Sequence, residues 1–307
     1  MSSEERHCFT DFYHVDDRRK NWLLQEQAHM NQFRKGFLRD NFVVIENAFC
    51  RKLAAEWVAN FNQINGIEID NPSTWPEGGA KMYPSNQQMH MSDFSPLAYQ
   101  VICDFLGGEN QIETRSMKVS DGFNINFNVG ADQDWQPPGP ESTGYHKDGW
   151  FFKHFLDSPE QALLVLLIWS DTEPRSGGTF FVPDSVDFII KFLHEHPEGI
   201  NHTYNWNRFS EHCKDFRELT ASAGDIVILH PFMLHARSNN PSGRIRYMNN
   251  KCISLWEPFN FNRPDNNYNV IEEKIRCVVG DKIENFQITS PRVCTPDKSR
   301  LEITEKE

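Results

Sequence analysis

The sequence predicts a mainly β protein with flanking helices, and three observations carry that reading. Helical spacing of apolar residues dominates the first third of the chain. After residue 115 it gives way to short runs rich in branched and aromatic residues, at 123–129, 162–169, 179–182, 218–220, 225–229 and 245–256. Gly, Pro, Asn and Asp stand between these runs, as turns require. Short strands of this kind assemble as a barrel or a two-sheet jelly roll.

The elements follow in order. Trp22, Leu23, Ala28, Met30, Phe33 and Phe37 predict a helix over 22–37, with Gly36 near its end. Asn41 to Glu46 reads as a short strand. Leu53, Ala54, Trp57, Val58 and Phe61 fall on one face of a helix over 50–64. Residues 66–95 are rich in Pro, Gly, Asn and Ser and read as loop. A helix over 96–106 ends at Gly107 and Gly108. The aliphatic run from Ala162 to Trp169 predicts a buried strand, and a helix around Ser185–Leu193 interrupts the β region. No internal repeat or low-complexity linker divides the chain. It reads as one domain over 1–307: a flexible N-terminus (1–20), a helical support (21–115), the β core (116–257) and a C-terminal wrap (258–307).

Composition limits the function. The net charge of −12 repels phosphate backbones and argues against a nucleic-acid partner. No apolar run approaches the roughly 18 residues of a membrane span, and the polar start has no signal-peptide core. Seven cysteines, odd in number and without a Cys-x-x-Cys, argue against a disulfide framework and against a zinc knuckle. Reduced thiols in the cytoplasm are the simplest account.

The chemistry concentrates in His146, Asp148, His235 and Arg246. Side chains repeat every second residue along a strand, so a His-x-Asp at a strand end puts His146 and Asp148 on one face and turns Lys147 away. Taken alone, that common tripeptide reads better as a turn pair, and His235 as a core histidine. Among the twelve histidines, His235 is the best third ligand because it follows the Gly224–Leu229 turn and strand. His230 is its nearest rival. His194 and His196 read as solvated, and His154 as a core or pocket residue. Two imidazoles and one carboxylate hold one face of an octahedral metal and leave three positions open, the arrangement of non-haem Fe(II) oxygenases.

The order of these features resembles the phytanoyl-CoA dioxygenase family. His146-Lys-Asp148 is followed by the aliphatic strand and Trp169-Ser-Asp-Thr172. Gly177-Gly-Thr-Phe-Phe-Val-Pro183 comes next, then Gly224-Asp-Ile-Val-Ile-Leu-His230, His235 and an arginine. Upstream, Arg39 to Phe49 resembles the family's entry strand, and the likeness spans roughly residues 37–257. The resemblance implies a double-stranded β-helix, a cupin-like jelly roll, with His146, Asp148 and His235 as iron ligands. It implies Fe(II), 2-oxoglutarate and O₂ as the cofactor set. Arg246, eleven residues after His235, takes the place of the arginine that binds the 2-oxoglutarate C5 carboxylate. Arg244 is the alternative, since two residues apart on one strand would point the same way. Thr179 is a further candidate for the 2-oxoglutarate site. Asn240 matches a family position but is at least as well suited to holding the turn before Pro241. Lys147 departs from the Gln or Val usual at its position.

The implied reaction is oxidation, most simply hydroxylation, of a C–H bond in a small, apolar, aromatic or lipid-like molecule. Trp150, Phe151, Phe152, Phe127, Tyr145 and Trp206 are candidate pocket walls. No basic patch suits the phosphates of a CoA ester. A non-oxidative isomerase or epimerase, or a non-catalytic binding protein, are the competing readings. Arg246 and the intact triad favour the oxidative one.

Overall fold

The structure, a computed structural model, describes residues 17–294. Residues 1–16 and 295–307 lie outside it, and with them most of the expected N-terminal segment 1–20 and the charged end of the wrap. The chain runs through α1 (Asp17–Asp40), β1 (Phe42–Ile45), α2 (Arg51–Asn65), β2 (Ala80–Met82), β3 (Gln88–His90), α3 (Met91–Phe94) and α4 (Pro96–Leu106). The β core follows as β4 (Lys118–Ser120), β5 (Asn124–Asn126), β6 (Leu163–Ile168), β7 (Thr179–Val182), α5 (Ser185–Glu195), β8 (Arg217–Glu218), β9 (Ile226–Leu229), β10 (Leu234–Arg237) and β11 (Arg246–Ile253). It closes with α6 (Val270–Val279).

Two antiparallel sheets form the jelly roll. The larger has the order β1-β9-β6-β11-β5-β2 and the smaller β10-β7-β8. A single bridge between His146 and His235 adds one more position to the edge of the smaller sheet. From β5 onward the chain passes back and forth between the two sheets, as the expected fold requires. They do not close into a barrel among the described residues.

β6 sits between β9 and β11 with all six residues buried, because both of its faces are covered. Just past its end and just ahead of β5 the sheet meets α2: Trp57 stacks on Trp169 at 5.2 Å, and Phe61 packs edge-on against Phe123 at 4.9 Å. Each such ring withdrawn from water contributes about 2–3 kcal/mol. Tyr247 of β11 also faces outward, its hydroxyl bonded to Asn62 of α2 at 2.9 Å. Arg246 and Met248, its neighbours in the strand, therefore face the interior between the sheets. No helix among the described residues is long and apolar enough to cross a membrane.

Several boundaries differ from the sequence expectation. Gly36 lies inside α1, which runs on until Asn41 ends it at φ 64°, a left-handed conformation that asparagine tolerates. The segment 66–95 is not all loop. It holds β2, which extends the large sheet, β3, which pairs with β4, and the single turn of α3. The expected wrap contains α6, packed against α5 and opened by a capping box in which Asn269 and Glu272 exchange bonds with each other's backbone. His194 belongs to α5 rather than to a loop.

Gly178 leads into β7 where there is no room for a side chain. A Cβ there would sit 2.3 Å from the Leu219 carbonyl oxygen. Gly178→Ala is expected to push β7 and β8 apart and cost about 2–3 kcal/mol, the range for overpacking a tight site. Urea unfolding checks this, and an unchanged midpoint would contradict it.

Candidate metal centre

The centre is built where β10 meets the loop after Gly144. His146 and His235 exchange both backbone hydrogen bonds, each at 3.0 Å. This fixes their side chains beside each other, with ring centroids 4.4 Å apart. The expected strand end at His146 is thus reduced to one bridge, because Gly149 turns the chain at once with φ 111°. Only glycine fits that turn: a Cβ would lie 2.5 Å from the Phe152 ring.

The three donors converge. Asp148 Oδ1 lies 3.4 Å from His146 Nε2 and 3.5 Å from His235 Nε2. One ligand atom from each residue falls within 4.8 Å of the others, and no other such set converges among the described residues. The Nδ1 atoms are turned away, to the Gly144 carbonyl at 2.9 Å from His146 and to the Met233 carbonyl at 3.2 Å from His235. A carbonyl only accepts, so each Nδ1 carries the proton and each Nε2 offers its lone pair inward. His235 Nε2 is buried without a hydrogen-bond partner. A divalent cation satisfies that orphaned atom, and the donor set suits one that keeps open positions.

The charges agree. Burial alone would raise the Asp148 carboxyl, but the His235 and His146 rings outweigh it and hold it well below the usual carboxylate range. Burial likewise works against a charged His146, and the hydrogen bond and charge of Asp148 overcome it and raise its pKa. The carboxylate is therefore anionic and the two rings are held ready around it.

Lys147 points away from the donors, as the alternation requires, and into the core. Its Nζ bonds His154 Nδ1 at 2.8 Å and the Asp148 carbonyl at 3.2 Å. The rings of Phe152, Trp206 and Phe232 surround it at 5.3–5.8 Å. Burial pushes its pKa down to about 7. His154, its partner, is held far below the ordinary imidazole range by burial and by the Lys147 charge, and acts as an acceptor. His230 is fully buried against Phe37 and Phe232, and its Nδ1 accepts from the Phe232 amide, so it is a core residue. His196 pairs with Glu198 at 2.8 Å.

Arg246 opens β11 and is buried, its Nε donating to Gly177 O and its Nη1 to Asn124 O, both at 2.9 Å. Burial, and after it the charge of Arg237, push its pKa down to about 10. Arg244 lies in the exposed turn before the strand, so the two arginines do not share a strand face as the sequence suggested. Thr179 faces the interior, and its hydroxyl reaches Met248 Sδ of β11 at 3.6 Å. Asn240 holds the turn: its side chain donates to the carbonyls of Asn126, Phe127 and Arg244 and accepts from Ser242.

The aromatic candidates divide. Phe127, Tyr145, Phe152 and Trp206 are buried and serve as core. Trp150, 54% exposed, and the half-buried Phe151 remain at the surface beside Asp148. Sequence reasoning passed over Arg237, Ser238 and Asn126. The Ser238 hydroxyl bonds Gly178 O at 2.6 Å, and Asn126 Nδ2 bonds Ser238 O at 3.0 Å, which ties the end of β10 to β5 and β7. For Arg237 and Ser238, a polar residue two or three positions past a candidate ligand was the available signal.

The phytanoyl-CoA dioxygenase (PhyH) family matches residues 114–248, a segment that contains His146, Asp148, Thr179, His235 and Arg246. No curated protein matches the chain. Among solved structures, the non-haem, α-ketoglutarate-dependent epimerase SnoN from nogalamycin biosynthesis is similar at 14% identity and a TM-score of 0.43, over 74% of this chain and 82% of that one. AviO1 from Streptomyces viridochromogenes Tue57 is similar at 13% identity and a TM-score of 0.44, over 73% and 94%. A Pseudomonas putida prolyl-4-hydroxylase is similar at 12% identity and a TM-score of 0.36, over 73% and 98%. Likenesses of this degree say nothing of what this chain acts on. The family match and the His–Asp–His geometry fall on the same residues: the segment 114–248 is PhyH-like and carries a donor set that could hold a metal ion.

Proposed function

We propose that the protein is a dioxygenase that oxidises, most simply hydroxylates, a C–H bond of a small, largely apolar molecule and releases succinate and CO₂. The observation that carries this reading is the orphaned Nε2 of His235, buried opposite the Asp148 carboxylate, with both histidine Nδ1 atoms pinned to carbonyls. His146, Asp148 and His235 would hold Fe(II). An iron bound there, with 2-oxoglutarate and O₂, supplies the oxidising power.

The chain's own residues do the rest. Arg246 faces the interior between the sheets, where its planar fork suits the C5 carboxylate of 2-oxoglutarate. Thr179 adds a hydroxyl to the same interior. Trp150 and Phe151, directly after the ligand loop, offer apolar surface to orient the molecule that is oxidised. Cysteines without a disulfide among the described residues support a reducing, cytoplasmic setting.

Anaerobic addition of Fe(II) and then 2-oxoglutarate tests the reading. The expected result is the weak visible charge-transfer band of a chelated 2-oxo acid, followed by succinate release when O₂ is admitted. Folded, metal-loaded protein without the band would sink it.

A further inference from the structure

We propose that Lys147 is a positioning residue of the metal centre, which presents the Asp148 carboxylate to the two imidazoles by tying the Asp148 backbone to His154. The inference rests on reading the three donors as a metal site and adds the device that holds the carboxylate in place.

Asp148 stands in a segment with little backbone support. His146 is fixed by its bridge to His235, and the chain is next fixed at Lys153 and His154, by the backbones of Val293 and Ile200. The bond from Phe152 N to Gly149 O lies within the turn itself, and Asp148 joins no backbone–backbone bond among the described residues. A site of this kind needs its groups placed to about 0.5 Å.

Lys147 supplies the missing support. Its Nζ donates to the Asp148 carbonyl at 3.2 Å and to His154 Nδ1 at 2.8 Å. His154 is itself anchored. It exchanges both backbone bonds with Ile200, each at 2.8 Å, and its ring packs against Phe152 and Trp206 with centroids 4.7 and 5.2 Å away. The link therefore runs from a fixed point beyond the Gly149 turn back to the carbonyl of the ligand before it. Gly149 rests on the same rings, since a Cβ there would lie 2.6 Å from Phe152 Cζ and 2.7 Å from His154 Cε1. An amine donates to both acceptors with or without its third proton, so the link does not depend on charge.

Packing and electrostatics both speak against a lysine here. Lys147 is only 5% exposed among the rings of Phe152, Trp206 and Phe232, and no carboxylate pairs with it among the described residues. An amine buried in that way opposes folding, and methionine would fill the same space without that cost. A positive charge beside the donors also opposes the binding of a cation. The hydrogen bond to Asp148 is what the lysine adds to the centre.

The test titrates metal-free protein anaerobically with Co(II), whose d–d absorption reports ligation, and melts the same protein without metal. Lys147→Met removes the link. Lys147→Met combined with His154→Leu removes it without leaving an orphaned ring nitrogen. Both variants are expected to lose Co(II) affinity roughly 10- to 100-fold, the range for removing a group that orients a ligand. The metal-free double variant should melt no lower than wild type, because both partners of the buried bond are gone. Unchanged or tighter Co(II) binding by the double variant would overturn the proposal; tightening is what the loss of charge alone predicts. Weaker binding together with a lower melting temperature in the double variant would also overturn it, by marking a structural role. Wild type that binds no Co(II) would remove the metal site itself, a result read before any variant is compared.

Discussion

Asp148→Ala is expected to lower 2-oxoglutarate turnover by at least about a thousandfold, or some 4 kcal/mol of transition-state stabilisation, while the protein still folds. Asp148 is the one carboxylate of the three donors, and its Oδ1 lies within 3.5 Å of both imidazoles. Without it two neutral nitrogens remain, and the cation loses its one charged donor. The fold survives because Asp148 lies in a turn and not in a packed strand. Its backbone amide and carbonyl join no sheet ladder, and the loop is held instead by the His146–His235 bridge and by Lys147. Charges gathered at a site cost stability, and removing one typically changes the unfolding midpoint little or raises it. Succinate release, iron content and thermal melting on the same preparation check the whole statement. Turnover above a tenth of wild type at full iron loading would remove Asp148 from the ligand set.

What was legible in the sequence followed from periodicity and order. Ala162–Trp169 and Gly224–Leu229 announce buried strands because each contains an uninterrupted aliphatic run, Ala162–Ile168 and Ile226–Leu229, and both became central strands of the large sheet. The candidate ligands stood out because the elements around them come in a recognisable order. What was illegible depends on which way a side chain turns outside regular structure. Phe152 and Trp206 looked like pocket walls from their closeness to Asp148 in sequence or from their size. The turn at Gly149 sends Phe152 into the core, and Trp206 meets it there across His154 and Lys147. Strands of three or four residues, such as β2, β3 and β10, are too short to show an alternation. The α6 start could be read, since Asn269 followed three residues later by Glu272 before Ile275 is a capping signature. It went unread because the surrounding Asn and Pro residues suggested loop.

Arg246→Ala is expected to raise the 2-oxoglutarate requirement roughly 30- to 1000-fold, the 2–4 kcal/mol typical of leaving one partner of a buried charged pair alone. Burial makes the effect large, because the interior that swallows Arg246 also excludes the water that would otherwise solvate the carboxylate. The substitution also strips Gly177 O and Asn124 O of their donor, so some loss of stability accompanies it. Two comparisons separate these effects. At saturating 2-oxoglutarate the charge-transfer band should return to wild-type intensity if only cosubstrate affinity has changed. Arg246→Lys keeps a charge but not the fork, and should fall between wild type and alanine. Arg244→Ala is the opposing control. Arg244 is exposed in the turn before β11, where its backbone carbonyl accepts from Asn240 and its backbone amide donates to the Ser242 hydroxyl. Its loss should leave the requirement unchanged. If the two results were exchanged, with Arg244→Ala raising the requirement and Arg246→Ala leaving it alone, the cosubstrate would lie outside the sheets, and the buried guanidinium would serve only to tie β11 to Gly177 and β5.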